Sequence, residues 1–322
     1  MPQVAIVGAG IAGLAAAERL SQAGIGVRIF EKSRGIGGRT ATRRAGDLQF
    51  DHGAQFFTAL GPRFRDVVAD WRRAGHAERW FEDAFAGTPA MTAPARALAA
   101  GKTVTTECLV AALGRDGNGW SVHGPKGPLV TAGNGRFDAL VLAVPAPQAA
   151  PLAASAEVDL PALERVRYAP CWALMLAFDE PVAAPDRSAR GIDDMIGWFA
   201  RDASKPRRSG RGETFVVHAT ADWSRANLER SHEDVAAELT ARFLGLTGIR
   251  KPPTFTVAHR WRYALVEASA GAPCLWDPRS RLGACGDWCL GPRVEAAFDS
   301  GEAVAETIIA ALAASRPTVA AM

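Results

Sequence analysis

The sequence predicts an α/β fold with two domains, one built around a parallel sheet and one around a mixed or antiparallel sheet with added helices. The first observation is an apolar run at residues 4–7 that leads into a glycine-rich turn and then a helical pattern. The second is a strand-then-helix pattern near the C-terminus, around Gly286-Asp287. The third is a middle region whose short apolar strands alternate with loops, which is typical of a sheet without parallel crossovers.

The N-terminal stretch has the pattern of a β-α-β unit. Val4–Val7 is a continuous apolar run, as expected of a strand buried on both faces of a parallel sheet. Apolar residues then recur at helical spacing from Ile11 until Gly24 ends the helix. A second strand, Val27–Phe30, ends on Glu31.

The glycines of this turn suit a bound dinucleotide. Gly8 permits the tight turn, Gly10 lets a pyrophosphate approach the backbone, and Gly13 lets the helix and strand pack closely. The phosphates would lie over the helix N-terminus, where free N–H groups and the macrodipole favour negative charge. Glu31 follows near the spacing of roughly 20 residues expected for an acid that binds a ribose hydroxyl. Because strand, helix and acid surround the glycines, the stretch predicts a dinucleotide site.

A second glycine loop, Arg34–Arg39, favours FAD over NAD. A plain NAD site needs no such loop, whereas the longer FAD must thread across the domain. Arg39 can form a fork of hydrogen bonds with a phosphate or a flavin oxygen. The run from Glu31 to Gly37-Gly38-Arg39 resembles the amino-terminal signature of the FAD-dependent amine oxidase and phytoene desaturase superfamily. The resemblance implies a Rossmann-like FAD-binding domain.

The middle elements follow from the spacing of apolar and turn residues. Residues 62–79 and 227–244 predict helices, the first of them amphipathic. Residues 103–110 and 120–123 predict a short antiparallel pair. The basic stretch Lys205–Arg211 is most simply a solvated hairpin. Further strands are predicted at 137–144, which resembles the strand that returns to the dinucleotide domain in this superfamily, and in the second sheet at 166–178, 197–200, 215–219 and 254–263.

Composition and charge exclude several classes of protein. The 322 residues are 48% hydrophobic and 22% charged, which is ordinary for a soluble globular protein. A net charge of +3 with scattered arginines argues against nucleic-acid binding. No apolar run is long enough for a membrane span, and the early strand argues against a signal peptide. The five cysteines fit no zinc-site spacing, so we expect no metal, and free thiols in a reducing cytoplasm.

The C-terminal pattern returns the chain to the first domain. A short strand from Leu282 ends on Gly286-Asp287, and the segment from Gly291 opens the last helix. The N-terminus of that helix would stabilise the negative charge that a reduced flavin carries near N1 and O2. Asp287 would bind a ribityl hydroxyl or hold a water on the diphosphate. The FAD-binding domain would then comprise residues 1–56, 101–150 and 278–322, and the substrate domain residues 57–100 and 151–277.

Five segments together resemble the bacterial renalase family over nearly the whole chain. They are residues 34–39, 51–58, 145–148, 259–261 and 285–289. The resemblance implies a non-covalent FAD oxidase that acts on dihydro isomers of NAD(P) reduced at the 2- or 6-position of the nicotinamide ring. The products would be NAD(P)+ and, after the flavin reacts with O2, H2O2. A dihydropyridine is already a hydride donor, so we expect no catalytic side chain.

The resemblance also assigns site residues by position. Residues implied to bind FAD, with the motif glycines, are Gly8, Gly10, Ile11, Gly13, Glu31, Lys32, Gly38, Arg39, Gln55, Phe56, Gly286, Asp287, Arg293 and Val294, with Leu109 or Val110 under the adenine. Residues implied to face the substrate are Phe56, Phe57, Thr58, Ala59, Leu60, Trp172 and Arg293. Trp172 suits stacking on a pyridine ring and Arg293 suits its phosphate or amide, although a core position for Trp172 is an open alternative.

One departure from the family leaves the substrate open. Between Trp80 and Gly87 the chain lacks about a hairpin's length of sequence that would cover part of the substrate pocket. One alternative is a flavin amine oxidase acting on a small amine. Such enzymes usually flank the flavin with an aromatic pair and use a lysine near N5, whereas this chain has few lysines and only two tyrosines, Tyr168 and Tyr263. A second alternative is an FAD-binding module that senses without turnover.

Overall fold

The computed structural model describes residues 1–117, 119–130, 135–183, 188–208 and 212–314. The helices are α1 (Ile11–Gln22), α2 (Pro62–Arg73), α3 (Ala93–Ala99), α4 (Ala146–Ala154), α5 (Ala221–Ala226), α6 (His232–Thr247) and α7 (Val294–Ala314). The strands are β1 (Gln3–Val7), β2 (Gly26–Phe30), β3 (Arg43–Ala45), β4 (Leu48–Phe50), β5 (Ala77–Phe81), β6 (Ala84–Gly87), β7 (Thr103–Thr105), β8 (Ala112–Asp116), β9 (Gly119–Gly124), β10 (Gly127–Pro128), β11 (Ala139–Leu142), β12 (Arg167–Phe178), β13 (Ser188–Arg190), β14 (Ile196–Arg201), β15 (Glu213–Ala219), β16 (Phe255–Ala268), β17 (Leu275–Asp277) and β18 (Leu282–Ala284).

The chain divides into two compact units, each made of separate stretches of sequence. The first unit holds Met1–Gly38, Ala95–Arg167 and Ala268–Met322, and the second holds Arg39–Pro94 and Tyr168–Glu267. Some boundaries differ from the predicted ones. Residues 39–56 lie in the second unit, because the chain leaves the first unit directly after the second glycine loop, and residues 95–100, 151–167 and 268–277 lie in the first.

A six-stranded sheet forms the centre of the first unit, in the order β17-β18-β11-β1-β2-β7. β1 pairs in parallel with β11 and with β2, and β18 and β7 extend the parallel arrangement on either side. β17 adds an antiparallel strand at one edge. The predicted parallel sheet, and with it the α/β class, is confirmed.

The predicted pairing of residues 103–110 with 120–123 is wrong. β7 covers only Thr103–Thr105 and pairs in parallel with β2, because its short β-branched run extends the edge of the main sheet. β9 instead pairs antiparallel with β8, which lies later in the chain than the predicted partner.

The two terminal helices of the first unit, α1 and α7, pack against each other. Gly301 lies in α7, and a Cβ there would clash with the carbonyl oxygen of Ala12 in α1. Glycine at this position therefore lets the two helix backbones come into contact. Ala15 and Ala305 are also fully buried small residues of these helices.

The second unit is built on a five-stranded sheet in the order β13-β14-β15-β12-β16. The pairs β13–β14, β14–β15 and β12–β15 are antiparallel. Alternate residues of β12 enter two hydrophobic clusters, as the two-residue period of a strand requires. Trp172 and Leu174 pack in a cluster with α6, and Met175 and Ala177 pack with Phe50. Both faces of this strand are therefore buried.

The bounds of two helices of the second unit differ from the predicted bounds. α2 ends at Arg73 rather than at residue 79, and residues 77–81 form β5, which pairs with β6. The helix predicted at 227–244 begins later, as α6 at His232, and a separate short helix, α5, precedes it. Ser231 begins α6 as its N-cap, since its hydroxyl accepts a hydrogen bond from the Asp234 N–H at 3.0 Å. Across the described ranges, no helix has both the length and the hydropathy to cross a bilayer.

Candidate functional site

The glycine turn and the Gly286-Asp287 segment lie at the same edge of the first unit's sheet. β1, β11 and β18 are adjacent parallel strands, with Val7 paired to Leu142 and Leu142 paired to Ala284. The carbonyl oxygens of Val7 and Leu142 also accept hydrogen bonds, at 2.8 and 3.0 Å, from the N–H groups that follow the neighbouring strand. Ligands of open α/β sheets bind at the carboxyl ends of the strands. Both ends of the chain therefore contribute to one candidate dinucleotide site.

The three motif glycines are required for different reasons. Gly8 has φ of +106°, and a Cβ there would clash with the Ala143 carbonyl oxygen. A Cβ on Gly13 would clash with the carbonyl oxygen of Gly8. Gly10 has an extended backbone with φ of −79°, and its Cβ would meet no described atom within 4 Å. Packing thus explains two of the glycines, and Gly10 leaves its backbone open as a diphosphate needs.

Glu31 ties the first glycine turn to the following loop. Its Oε2 accepts a hydrogen bond from the Ala9 N–H at 2.9 Å, and its Oε1 accepts one from the Ser33 N–H at 2.8 Å. The Gly37 N–H donates to the Ala9 carbonyl oxygen at 2.8 Å, which brings the second glycine loop onto the first. Each carboxylate oxygen of Glu31 keeps a lone pair that can accept a hydrogen bond from a ribose hydroxyl.

The remaining predicted residues of the first unit are spread around this edge. Lys32 Nζ donates to Gln148 Oε1 at 3.2 Å. Leu109 is half exposed, whereas its neighbour Val110 is buried. Ile11 begins α1, and Val294 begins α7. A Cβ on Gly38 would lie 3.5 Å from Gly10 Cα, and Asp287 is buried at the start of a 3₁₀ turn. Arg293 Nη1 lies 3.8 Å from Glu295 Oε2.

Arg39, Gln55 and Phe56 belong to the second unit. Arg39 Nη1 donates to the Ala264 carbonyl oxygen at 3.1 Å, and its guanidinium lies 6.0 Å from the ring centroid of Tyr168. Gln55 Nε2 donates to the backbone carbonyl oxygens of Asp51 and Gly53. The side-chain amide of Gln55 is therefore oriented by its own loop.

A buried charge cluster lies next to Gln55, and we define it as Asp51, Asp202, Lys205 and Arg208. Lys205 Nζ donates hydrogen bonds to Asp51 Oδ2 and to Gln55 Oε1, each at 3.1 Å, and forms an ion pair with Asp202 Oδ1. Arg208 Nη2 bonds to Asp51 Oδ2, and Thr42 Oγ1 donates to Asp51 Oδ1 at 2.6 Å. All four charged side chains are buried.

This cluster corrects the interpretation of residues 205–211 as a solvated hairpin. Lys205 is fully buried because it neutralises two buried carboxylates, one of them 154 positions away in sequence. Residues 209–211 lie outside the described residues. The cluster was not predicted as a site, although an aspartate three residues before a lysine, in a turn between two apolar strands, was a signal for a local ion pair.

The two carboxylates of the buried charge cluster differ in their affinity for a proton. Burial alone would raise the pKa of Asp51, but the charges of Lys205 and Arg208 hold that pKa well below its ordinary value. Burial and the neighbouring Asp51 charge raise the pKa of Asp202, and Lys205 opposes that rise. Asp51 is therefore the firmly ionised partner of the two cations.

Two further histidines and a tryptophan lie around His52, the residue that follows Asp51. The ring of His52 lies 4.8 Å from that of His259 and 5.0 Å from that of Trp261, centroid to centroid. The His52 carbonyl oxygen accepts hydrogen bonds from Trp261 Nε1 at 3.0 Å and from His218 Nε2 at 3.2 Å. Among the described residues, His52 Nδ1 has no hydrogen-bond partner.

The three imidazoles are neutral at pH 7. Burial, with the nearby His259 and Arg43, lowers the pKa of His52 to about 3. Burial lowers the pKa of His218 to about 4, and burial with the Arg43 charge lowers the pKa of His259 to about 4. The three histidines therefore place polar groups in the second unit without adding charge to it.

Five adjacent residues predicted to face the substrate, Phe56 to Leu60, occupy different environments. Phe56 packs edge-on against Phe81, with ring centroids 5.6 Å apart, and lies 5.9 Å from Trp198. Phe57 is buried, and it exchanges two backbone hydrogen bonds of 2.9 and 2.8 Å with Phe85. Thr58 and Ala59 are half-buried, and Leu60 is exposed.

The predicted substrate-facing position of Trp172 differs from its position in the structure. Its side chain is 0% exposed in the hydrophobic cluster beside α6. Trp172 Nε1 donates to the Asn227 carbonyl oxygen at 3.0 Å, and the ring meets His232 edge-on. With its polar atom satisfied and its faces packed, the indole acts as a core residue of the second unit.

Comparison with known proteins assigns the chain to a family. A family model described as NAD(P)-binding Rossmann-like domain matches residues 6–71, and a model described as flavin containing amine oxidoreductase matches residues 71–309. The second match covers more than half of the chain. The chain belongs to the flavin-containing amine oxidoreductase family. The predicted superfamily is thereby confirmed.

This flavin-containing amine oxidoreductase also resembles individual proteins. The 4,4'-diapophytoene desaturase of Staphylococcus aureus (strain Newman) is 36% identical over 76 residues, which are 20% of this chain and 15% of the desaturase. The chain thus matches a small part of the length of such curated relatives. Solved structures with the same fold include cyclohexylamine oxidase from Brevibacterium oxydans IH-35A, with a TM-score of 0.69, 12% identity and coverage of 97% and 99% of the two chains. A putrescine oxidase double mutant has a TM-score of 0.65, 14% identity and coverage of 96% and 99%.

The family identifies the protein as an FAD-dependent oxidoreductase, as the glycine loops predict. The first unit fits FAD in two respects. The backbone at Gly10 is open to a diphosphate, and Glu31 retains acceptor capacity beside it. Bound FAD supplies the redox chemistry, and the chain supplies the groups that hold and orient it.

Proposed function

We propose that this FAD-dependent oxidoreductase oxidises dihydro isomers of NAD(P) reduced at the 2- or 6-position to NAD(P)+. Bound FAD would accept the hydride that the dihydropyridine ring gives up, and O2 would take the two electrons, with two protons, to give H2O2. The five segments that resemble bacterial renalases support this substrate, since they span nearly the whole chain. We place the protein in the cytoplasm, because all five cysteines are free, as is usual in a reducing compartment.

The single observation that carries the proposal is the contact between Tyr168 and Tyr263. Their ring centroids are 5.5 Å apart at an angle of 60°. Two rings that hold a group between them must stand about 7 Å apart, since each face needs a contact of about 3.5 Å. The only tyrosines of the chain therefore leave no space between them for an amine.

The lysines of the chain support the same conclusion. Lys205 is the buried lysine of the second unit, and its ammonium group is held by Asp51, Asp202 and the neighbouring Gln55. Lys251 pairs with Glu180 at 2.6 Å on the surface. A hydride donor needs no such lysine, because the protein has only to hold the donor ring about 3–3.5 Å from its acceptor.

Oxidation of a small amine is the second candidate. The family description and the fold shared with a cyclohexylamine oxidase and a putrescine oxidase favour it. The two candidates require different donors. A dihydronicotinamide gives up a hydride from a ring carbon, whereas an amine must first be neutral to give up a hydride from the carbon beside nitrogen.

Anaerobic mixing tests both candidates. The purified yellow protein is mixed without oxygen with 2-dihydro-NAD, with 6-dihydro-NAD and, separately, with cyclohexylamine and putrescine, and the flavin absorbance is followed. We expect the dihydro isomers to bleach the flavin and to release NAD+, and admission of air to restore the colour with one H2O2 per flavin. Bleaching by the amines alone would overturn the proposal.

A further inference from the structure

Arg190, the last residue of β13, lies against two aromatic rings of the second unit. Its guanidinium carbon lies 4.8 Å from the ring centroid of Trp198, its partner across the strand pair, and 5.4 Å from that of Phe56. These distances are within the range of a cation–π contact. The arginine is exposed, so it is available to a ligand.

Unlike several exposed arginines of the second unit, Arg190 has no acidic partner among the described residues. Arg225 bonds to Asp222 at 2.7 Å, and Arg262 bonds to Glu229 at 2.6 Å. Over the residues that the structure describes, the side chain of Arg190 makes the two ring contacts and neither a hydrogen bond nor an ion pair. Ring contacts use no N–H donor, so the planar fork of the guanidinium can bind an anion.

The position of Arg190 connects it with a segment that the proposed function uses. Phe56 belongs to residues 51–58, which resemble the renalase segment. The start of that segment is fixed by Asp51 in the buried charge cluster, and Phe56 itself is held by Phe81 and Trp198. These contacts hold Phe56 in place, and the charge of Arg190 lies beside it.

We propose that Arg190 binds a phosphate of the nucleotide substrate, with Phe56 and Trp198 fixing its position. The substrate class is then a phosphorylated dihydronicotinamide nucleotide, and neither the free riboside nor an amine. This inference rests on the proposed function. Guanidinium binds phosphate through two parallel hydrogen bonds, and the same positive charge repels an alkylammonium group.

The test compares substrates that differ only in phosphate. Rates of anaerobic flavin reduction are measured with 6-dihydronicotinamide riboside, its mononucleotide and the dinucleotide, for the native protein, Arg190→Gln and Arg44→Gln. Arg44 is an exposed arginine of the same unit, so its variant controls for net charge. We expect Arg190→Gln to raise the half-saturating concentration of both phosphorylated substrates about tenfold, with the riboside unchanged.

A binding measurement separates this inference from the proposed function. Nicotinamide mononucleotide and nicotinamide riboside are titrated into the oxidised holoenzyme, and tryptophan fluorescence is followed. Tighter binding of the mononucleotide that is lost in Arg190→Gln, and kept in Arg44→Gln, supports the phosphate site even if no dihydro isomer bleaches the flavin. Equal binding of the two ligands by the native protein, or an unchanged preference in Arg190→Gln, overturns it.

Discussion

Replacing Gly10 with alanine should separate the folding of the first unit from its affinity for FAD. An alanine Cβ at this position meets no described atom within 4 Å, and the backbone φ of −79° suits any residue. The apoprotein should therefore lose only the small advantage of glycine over alanine at the N-cap of α1, a few tenths of a kcal/mol to about 1 kcal/mol.

FAD affinity should change more than stability. If the diphosphate lies where the motif predicts, the added Cβ would occupy the space that it needs to reach the backbone of the glycine turn. Loss of one hydrogen bond to a charged phosphate costs about 1.5–3 kcal/mol. That free energy corresponds to about 10- to 150-fold weaker binding of FAD.

The assay measures both quantities on the same preparation. FAD is removed, the melting temperature of the apoprotein is recorded, and FAD affinity is obtained from the quenching of flavin fluorescence. Gly13→Ala is the matched control, because its Cβ would clash with the Gly8 carbonyl oxygen and should destabilise the fold itself. Native affinity for FAD in Gly10→Ala would refute the placement of the diphosphate, and a large loss of apoprotein stability would refute the reasoning from open space.

Three further predictions concern the second unit. Lys205→Met leaves Asp51 and Asp202 without their shared cation, so the free energy of unfolding in urea should fall by about 3–5 kcal/mol, whereas Lys251→Met at an exposed pair should change it by under about 0.5 kcal/mol; equal effects would contradict the burial argument. Between pH 7 and pH 5 stability should fall, because His52 stays neutral when folded, with a pKa of about 3, and takes up a proton when unfolded, with a pKa of 6.5. That group contributes about 1–2 kcal/mol, and a pH slope unchanged in His52→Gln would speak against it. Trp172→Phe should cost about 1–3 kcal/mol of stability and leave the half-saturating substrate concentration unchanged, whereas an increase in that concentration would return Trp172 to the substrate site.

The parts of the site that the sequence predicts best depend on short-range spacing. The glycine turn, α1 and Glu31 lie within one β-α-β unit, so the pattern of neighbours fixes their relation. The placement of Gly286-Asp287 at the same sheet edge also follows from the pattern. Like the first turn, it consists of a strand, a turn that contains glycine, and a helix.

Long-range contacts account for what sequence patterns missed. The burial of Lys205 depends on Asp51, and the contact of the two tyrosines joins β12 to β16. The neighbours of Lys205 in sequence form a basic stretch, whereas the buried ion pair depends on Asp51, which is distant in sequence. Trp172 was ambiguous for a related reason, since an aromatic in an apolar strand has the same local pattern whether it faces a core or a ligand.

The order of strands in the first unit has a consequence for biosynthesis. β18 covers the edge of β11, yet roughly 140 residues of chain separate them in translation order. At about 5–20 residues per second, a ribosome needs about 7–28 s to make that stretch. During this interval the nascent polypeptide exposes a bare strand edge that is open to mispairing. We expect flavin loading to occur after release, when the last strand has been inserted.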